Sequence, residues 1–165
     1  MTIKPDKRTL YLVRHAKALK SGPGISDIDR SLHDIGILES YEVASELFNQ
    51  KEIPQLMISS TATRAIATAL VFQRVLKVGS ENMKTTERLY EIDVNDLFEL
   101  VAALDDRYHS VMLFGHNPTF TDFAHKMEAS ISHLPTASVV RFDFEVEKWR
   151  HSSYLNAEKK LFIYP

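Results

Sequence analysis

Three short apolar runs in this 165-residue chain lead into a cation or an imidazole. Leu10-Tyr11-Leu12-Val13 meets Arg14-His15, Leu56-Met57-Ile58-Ser59-Ser60 leads to Arg64, and Val111-Met112-Leu113-Phe114-Gly115 leads to His116. Short runs of this kind, partly β-branched or aromatic, read as buried strands. The stretches between them carry apolar residues at helical spacing. Strands alternating with helices predict an α/β protein: a three-layer α/β/α sandwich around a mostly parallel mixed sheet of about five or six strands. In an open sheet of this kind, groups at the carboxyl ends of strands converge on one crevice. Arg14, His15, Arg64 and His116 are therefore expected together, as a phosphate pocket that holds a candidate nucleophile.

Along the chain, residues 1–8 are polar and read as a loose end. Strands are expected at Thr9–Val13, Leu56–Ser59, Lys84–Glu87 and Val111–Phe114, with an alternating, half-exposed strand at Val139–Val146 and an edge strand at Leu161–Tyr164. Residues 19–31 carry Gly22-Pro23-Gly24 and form a loop. Ser31 with Asp34 fits a capping box, opening a helix whose inner face would be Ile37, Tyr41, Ala44, Leu47 and Phe48. The helix after the second strand would bury Ala65, Ala69, Phe72 and Leu76 and stop at Gly79. Asn95 is expected to cap a helix that buries Leu97, Leu100, Val101 and Leu104. Asn117 and Pro118 read as N-cap and first residue of a helix with Phe120, Phe123, Ala124 and Met127 inward. No repeat, low-complexity tract or second domain stands out, so one domain over residues 1–165 is expected.

Composition narrows the function classes. Hydrophobic residues make up 44%, enough for a real core. The net charge of −2 gives no general attraction to nucleic acid or anionic membrane, so any anion specificity has to be local. The chain has no cysteine, which excludes disulfides, thiol catalysis and cysteine–zinc sites. No His pair stands at zinc-ligand spacing, so neither a metal nor a cofactor is expected. The N-terminal residues lack the apolar core of a secretory signal, and no apolar run approaches the roughly 20 residues of a membrane span. A soluble, cytoplasmic, monomeric protein is expected.

The segment Leu10–Ala18 (LYLVRHAKA) resembles the opening motif of the histidine phosphatase, or phosphoglycerate mutase-like, family. Ser59–Ala69 (SSTATRAIATA) is similar to its second motif and Gly115-His116-Asn117-Pro118 to its third. The Gly-His-Asn form, with Leu134-Pro135-Thr136-Ala137, resembles the small bacterial branch of SixA-like phosphohistidine phosphatases, and the likeness spans roughly residues 9 to 145. It implies a phosphoglycerate mutase-like fold. It also implies a metal-independent phosphatase with His15 as the nucleophile that accepts the phosphoryl group, and a phosphorylated protein or small phosphoester as substrate. Arg14 and Arg64 suit that chemistry, because a guanidinium offers a planar fork of donors to phosphoryl oxygens. His116 would donate from the opposite side. The family often carries a proton donor after the third strand, where Glu91 stands, with Asp93 two residues on.

Other readings stay open at several positions. Asn117 is either a helix cap or a phosphate ligand, and Thr136 either touches the pocket or is a turn residue. His33 reads as an exposed loop residue, and Lys17 and Lys20 as solvated loop lysines. His109, His125, His133 and His151 have no motif around them. A general small-molecule phosphomonoesterase is the alternative activity. A phosphoprotein-binding module without turnover is the alternative from another class.

Overall fold

The structure, a computed structural model, describes residues 6–165. Its strands are β1 (Arg8–Arg14), β2 (Leu56–Ser60), β3 (Met83–Thr86), β4 (Ser110–Gly115), β5 (Val139–Phe144) and β6 (Ala157–Ile163). Its α-helices are α1 (Asp34–Asn49), α2 (Thr63–Leu76), α3 (Val94–Ala102) and α4 (Thr119–Met127). The strands form one sheet in the order β3-β2-β4-β1-β5-β6. The first four are mutually parallel, and β5 runs antiparallel to both β1 and β6. The α/β sandwich with a mostly parallel mixed sheet is thus the observed architecture.

Alternation along β1 shows how the layers form, because successive side chains leave a strand on opposite faces. Leu10 and Leu12 join Leu113, Phe120, Phe123, Leu97 and Phe142 in one core. Tyr11 and Val13 join Val43, Leu47, Phe72 and Phe114 in the other. Helices α3 and α4 therefore cover one face, and α1 and α2 the other. Among the described residues no helix is long and apolar enough to cross a membrane.

Several local expectations are corrected. The loose end expected at residues 1–8 lies partly outside the described residues, but Arg8 already belongs to β1 and is buried. The cap of α1 is His33, whose Nδ1 accepts the Ile35 amide, rather than Ser31. The buried face of α1 is Gly36, Ser40, Val43, Ala44 and Leu47, so Ile37 and Phe48 face solvent. Close approach explains the rotation. The His33 amide donates to the Lys17 carbonyl at 2.9 Å, and a Cβ on Gly36 would collide with the same Lys17 backbone. The start of α1 thus braces the segment that follows His15.

Helix α2 ends at Leu76 on Lys77, which takes a left-handed φ of 57°, and Gly79 has ordinary extended geometry. Asp93, not Asn95, caps α3, accepting the Asp96 amide at 2.9 Å. Helix α4 begins at Thr119, with Pro118 just outside it. The cap position is therefore Pro118 rather than Asn117, although Asn117 Oδ1, one residue earlier, still accepts from the Thr121 amide in the first turn. Strand β5 is buried along nearly its whole length rather than half exposed. It lies between β1 and β6, and the core that holds Trp149 covers one of its faces.

Candidate active site

Three neighbouring parallel strands, β2, β4 and β1, end on the same side of the sheet. Arg14 closes β1 beside Gly115, the last residue of β4, and Ser59 pairs with Phe114 near the end of β2. His15, Ser60 and His116 therefore meet without any long side chain having to reach. Gly115 is required at this junction, because a Cβ there would strike the Phe120 ring of α4. Arg64, the second residue of α2, points into the same place and is buried to 5% exposure.

The result is a cavity of about 520 Å³ lined by Arg14, His15, Arg64, His116, Asn117 and Thr136, with Tyr90 and Glu91 at one side. Lys17, Ala18, Asp27 and Arg30 complete it from the segment after β1. The structure thus brings together all seven residues singled out from sequence. Glu91 is exposed and makes no hydrogen bond among the described residues. Asp93 does not line the cavity, being engaged as the cap of α3. Asn117 lines it but spends its amide on Thr121 and on the Leu134 carbonyl, which it meets at 3.1 Å. Lys17 is an exposed rim residue, and Lys20 lies outside the lining.

The hydrogen bonds give each imidazole a definite task. His15 Nδ1 is 2.8 Å from the Ala16 carbonyl oxygen. A carbonyl can only accept, so the proton sits on Nδ1 and the lone pair on Nε2. That lone pair receives the Arg64 Nε–H at 3.3 Å. The loop is itself held. The His15 amide donates to the Gly115 carbonyl, the Ala137 amide reaches the Arg14 and His15 carbonyls, and the Ala16 amide donates to Thr68 Oγ1. Arg14 donates to the Leu134 carbonyl at 2.8 Å, and its buried Nε has no partner among the described residues. His116 contacts Ser60 Oγ through Nε2 at 2.8 Å, and its ring centroid lies 5.1 Å from that of His15.

Burial and charge keep both rings neutral. Burial lowers the His15 pKa from 6.5 to about 4, with Arg64 and Arg14 acting the same way and the Ala16 bond opposing them. Burial, then the His15 and Arg64 charges, lowers His116 to about 3. A neutral His15 with its Nε2 lone pair facing Arg64 and the cavity has the tautomer that a nucleophilic role would require. Arginines on either side would offset charge on a bound phosphoryl group.

One network had no signal in the sequence. Asp27 accepts from Arg64 through both its carbonyl, at 2.6 Å, and its carboxylate, at 3.0 Å. The same carboxylate accepts from Tyr90 Oη at 2.7 Å and from Arg30 Nε at 3.0 Å. The Tyr90 hydroxyl chiefly, with Arg64 and Arg30, lowers the Asp27 pKa to about 2. Asp27 thus aims Arg64 from the rim. Ser60 is the other residue that sequence reasoning did not single out for the site. Among the described residues no group of three or more His, Asp or Glu side chains is placed to hold a metal ion.

The family model of the histidine phosphatase superfamily (branch 1) matches residues 10–129. No curated protein sequence matches the chain. Among solved structures, the candidate phosphohistidine phosphatase SixA of Agrobacterium tumefaciens is 28% identical, with a TM-score of 0.82 over 96% of this chain and 98% of that one. The protein histidine phosphatase SixA complexed with tungstate is 20% identical, with a TM-score of 0.79 over 94% and 96% of the two chains. A phosphoglycerate mutase from Bacillus anthracis str. Sterne shares the fold at 15% identity, with a TM-score of 0.64 over 88% and 91%. The sheet is accordingly of the phosphoglycerate mutase-like class, and the chain is a phosphatase that belongs to the histidine phosphatase superfamily.

Proposed function

We propose that the chain is a metal-independent phosphatase that passes the phosphoryl group through His15, and that its substrate is phosphohistidine on a protein. The observation that carries the reading is the locked His15 ring. Its Nδ1–H is tied to the Ala16 carbonyl, and its Nε2 lone pair opens onto Arg64 inside the cavity. In the first step Nε2 attacks phosphorus as the bond to the leaving ring nitrogen breaks, and that imidazole departs neutral because its second ring nitrogen carries the proton. Arg14 and Arg64 offset the charge spread over the phosphoryl oxygens, where positioning and electrostatics supply most of the acceleration. Binding the anion displaces the long Arg64–His15 contact and turns that donor toward phosphate. In the second step water attacks the phosphohistidine, gives up a proton to solvent or Glu91, and releases phosphate with His15 neutral again.

Substrate choice follows from the rim. Lys17, Asp27 and Glu91 are exposed, so the cavity runs from an open mouth to a buried arginine. An open mouth admits a phosphate carried on a protein. Glu91 is not anchored, and an unanchored carboxylate suits a leaving imidazole, which departs more easily than an alkoxide and needs an acid less. Its place on the cavity wall supports a second reading, a general phosphomonoesterase. Comparing kcat/KM for a phosphohistidine-bearing protein, a phosphoserine peptide and p-nitrophenyl phosphate tests the choice. Preference for the first by more than tenfold is expected, and preference for either ester would favour the second reading.

A further inference from the structure

The two imidazoles of the site are locked by opposite devices, and the second lock has a consequence for His116. Ser60 is the last residue of β2, is fully buried, and has two polar neighbours. Its Oγ accepts the Ala62 amide at 3.2 Å and lies 2.8 Å from His116 Nε2. A hydroxyl has a single proton, and the amide of Ala62 can only donate. The Ser60 proton is therefore available to His116 Nε2, and no other acceptor for it is found among the described residues. If Nε2 instead carried the proton, Oγ would accept twice and the Ser60 proton would be stranded in a buried place, which is costly. His116 Nδ1 is itself buried and without a partner among the described residues. With Nε2 as acceptor, that buried nitrogen bears a proton with no partner among the described residues, left to donate a hydrogen bond to an anion that settles against the ring in the cavity His116 lines. With the other tautomer it would present a lone pair to an anion and repel it.

We propose that Ser60 is a positioning residue that sets His116 as the Nδ1–H tautomer and so makes it a donor to the phosphoryl oxygens. His15 and His116 then share a tautomer and do opposite work, because the protein ties up a different nitrogen in each. His15 presents a lone pair, and His116 presents a proton. The role in turnover rests on the phosphatase mechanism above, whereas the tautomer does not.

The test has two arms. Long-range ¹H–¹⁵N correlation spectra of histidine-labelled full chain, with the His116 signals assigned by their loss in His116→Ala, read the tautomer directly near pH 7. The proton is expected on Nδ1 in the native chain, with Ser60→Ala moving population to Nε2–H. A native Nε2–H ring would overturn the proposal whatever the kinetics show. In turnover of p-nitrophenyl phosphate and a phosphohistidine-bearing protein, Ser60→Ala is expected to lower kcat by about 10- to 100-fold, by analogy with the loss when a metal-bound histidine is deprived of the group that orients it. The double variant with His116→Ala should be no slower than His116→Ala alone, since Ser60 acts through that ring. Losses that multiply would assign Ser60 a separate structural role. Turnover indifferent to His116→Ala would count against the mechanism and leave the spectroscopic result to decide the tautomer.

Discussion

Lowering the pH is the perturbation that most sharply separates a tuned His15 from an ordinary one. Burial, Arg64 and Arg14 bring its pKa to about 4. At pH 5 a ring with that value is about 90% neutral, whereas one at 6.5 would be only about 3% neutral. The difference in competent nucleophile is therefore about 30-fold at one pH. Folding stability should move with it. The native state keeps His15 neutral while the unfolded chain protonates near 6.5, so the unfolded state binds more protons between those values. The stability contribution is complete above pH 6.5 and is lost as pH falls toward 4. A displacement from 6.5 to about 4 corresponds to about 3 kcal/mol. His116, lowered to about 3, pulls in the same direction. With ring centroids 5.1 Å apart, the two share their midpoints as a pair rather than adding independently. An NMR titration of the histidine Cε1–H signals reads this directly, and kcat/KM corrected for substrate ionisation reads it kinetically. Near-constant corrected kcat/KM from pH 7 to 5 is expected. A His15 midpoint between 6 and 7 would refute the reasoning from burial and neighbouring cations.

Three further outcomes follow from the same geometry. Arg64→Lys should lower kcat by about 100-fold, because an ammonium cannot face His15, Asp27 and a phosphoryl oxygen at once; wild-type kinetics would dismiss the planar fork. Glu91→Gln should slow an alkyl phosphate most, p-nitrophenyl phosphate less and phosphohistidine least, and equal losses on all three would make Glu91 a binding group instead. Turnover should survive exhaustive chelation, and loss restored by zinc or magnesium would contradict a metal-free mechanism.

Much of this molecule was legible because its signals are local. Apolar or alternating runs marked β1, β2, β4 and β5 to within about two residues; β3 was also placed to within one, although its stretch is polar, and β6 begins earlier than its apolar end suggested. Helical spacing in α2 picked out the residues that are buried, Ala65, Ala69, Phe72 and Leu76. The meeting of Arg14, His15, Arg64 and His116 could be anticipated because parallel strands bring their ends to one side. What stayed hidden depends on contacts between distant segments or on backbone geometry. Asp27 lies in a Gly- and Pro-bearing loop without periodicity, 37 residues from Arg64 and 63 from Tyr90, so nothing local announced the network. The pairing of Ser60 with His116 needs the β2–β4 register, which no single segment encodes. The inner face of α1 was displaced because contact with the Lys17 backbone, admitted by Gly36, outweighed the larger apolar side chains nearby. Caps went to His33 and Asp93 because a cap is chosen by where the backbone turns, and several polar residues stood within reach.

The central claim is a covalent phosphoryl group on His15. Rapid acid-free quench of the full chain during turnover of ³²P-labelled substrate, followed by peptide mapping under alkaline conditions, tests it most directly, since a phosphoramidate survives base and decays in acid. Label is expected on the peptide that contains His15, placed on Nε2, and absent from His15→Ala. Turnover with no trapped label even at substrate saturation, or label on a different residue, would contradict the mechanism.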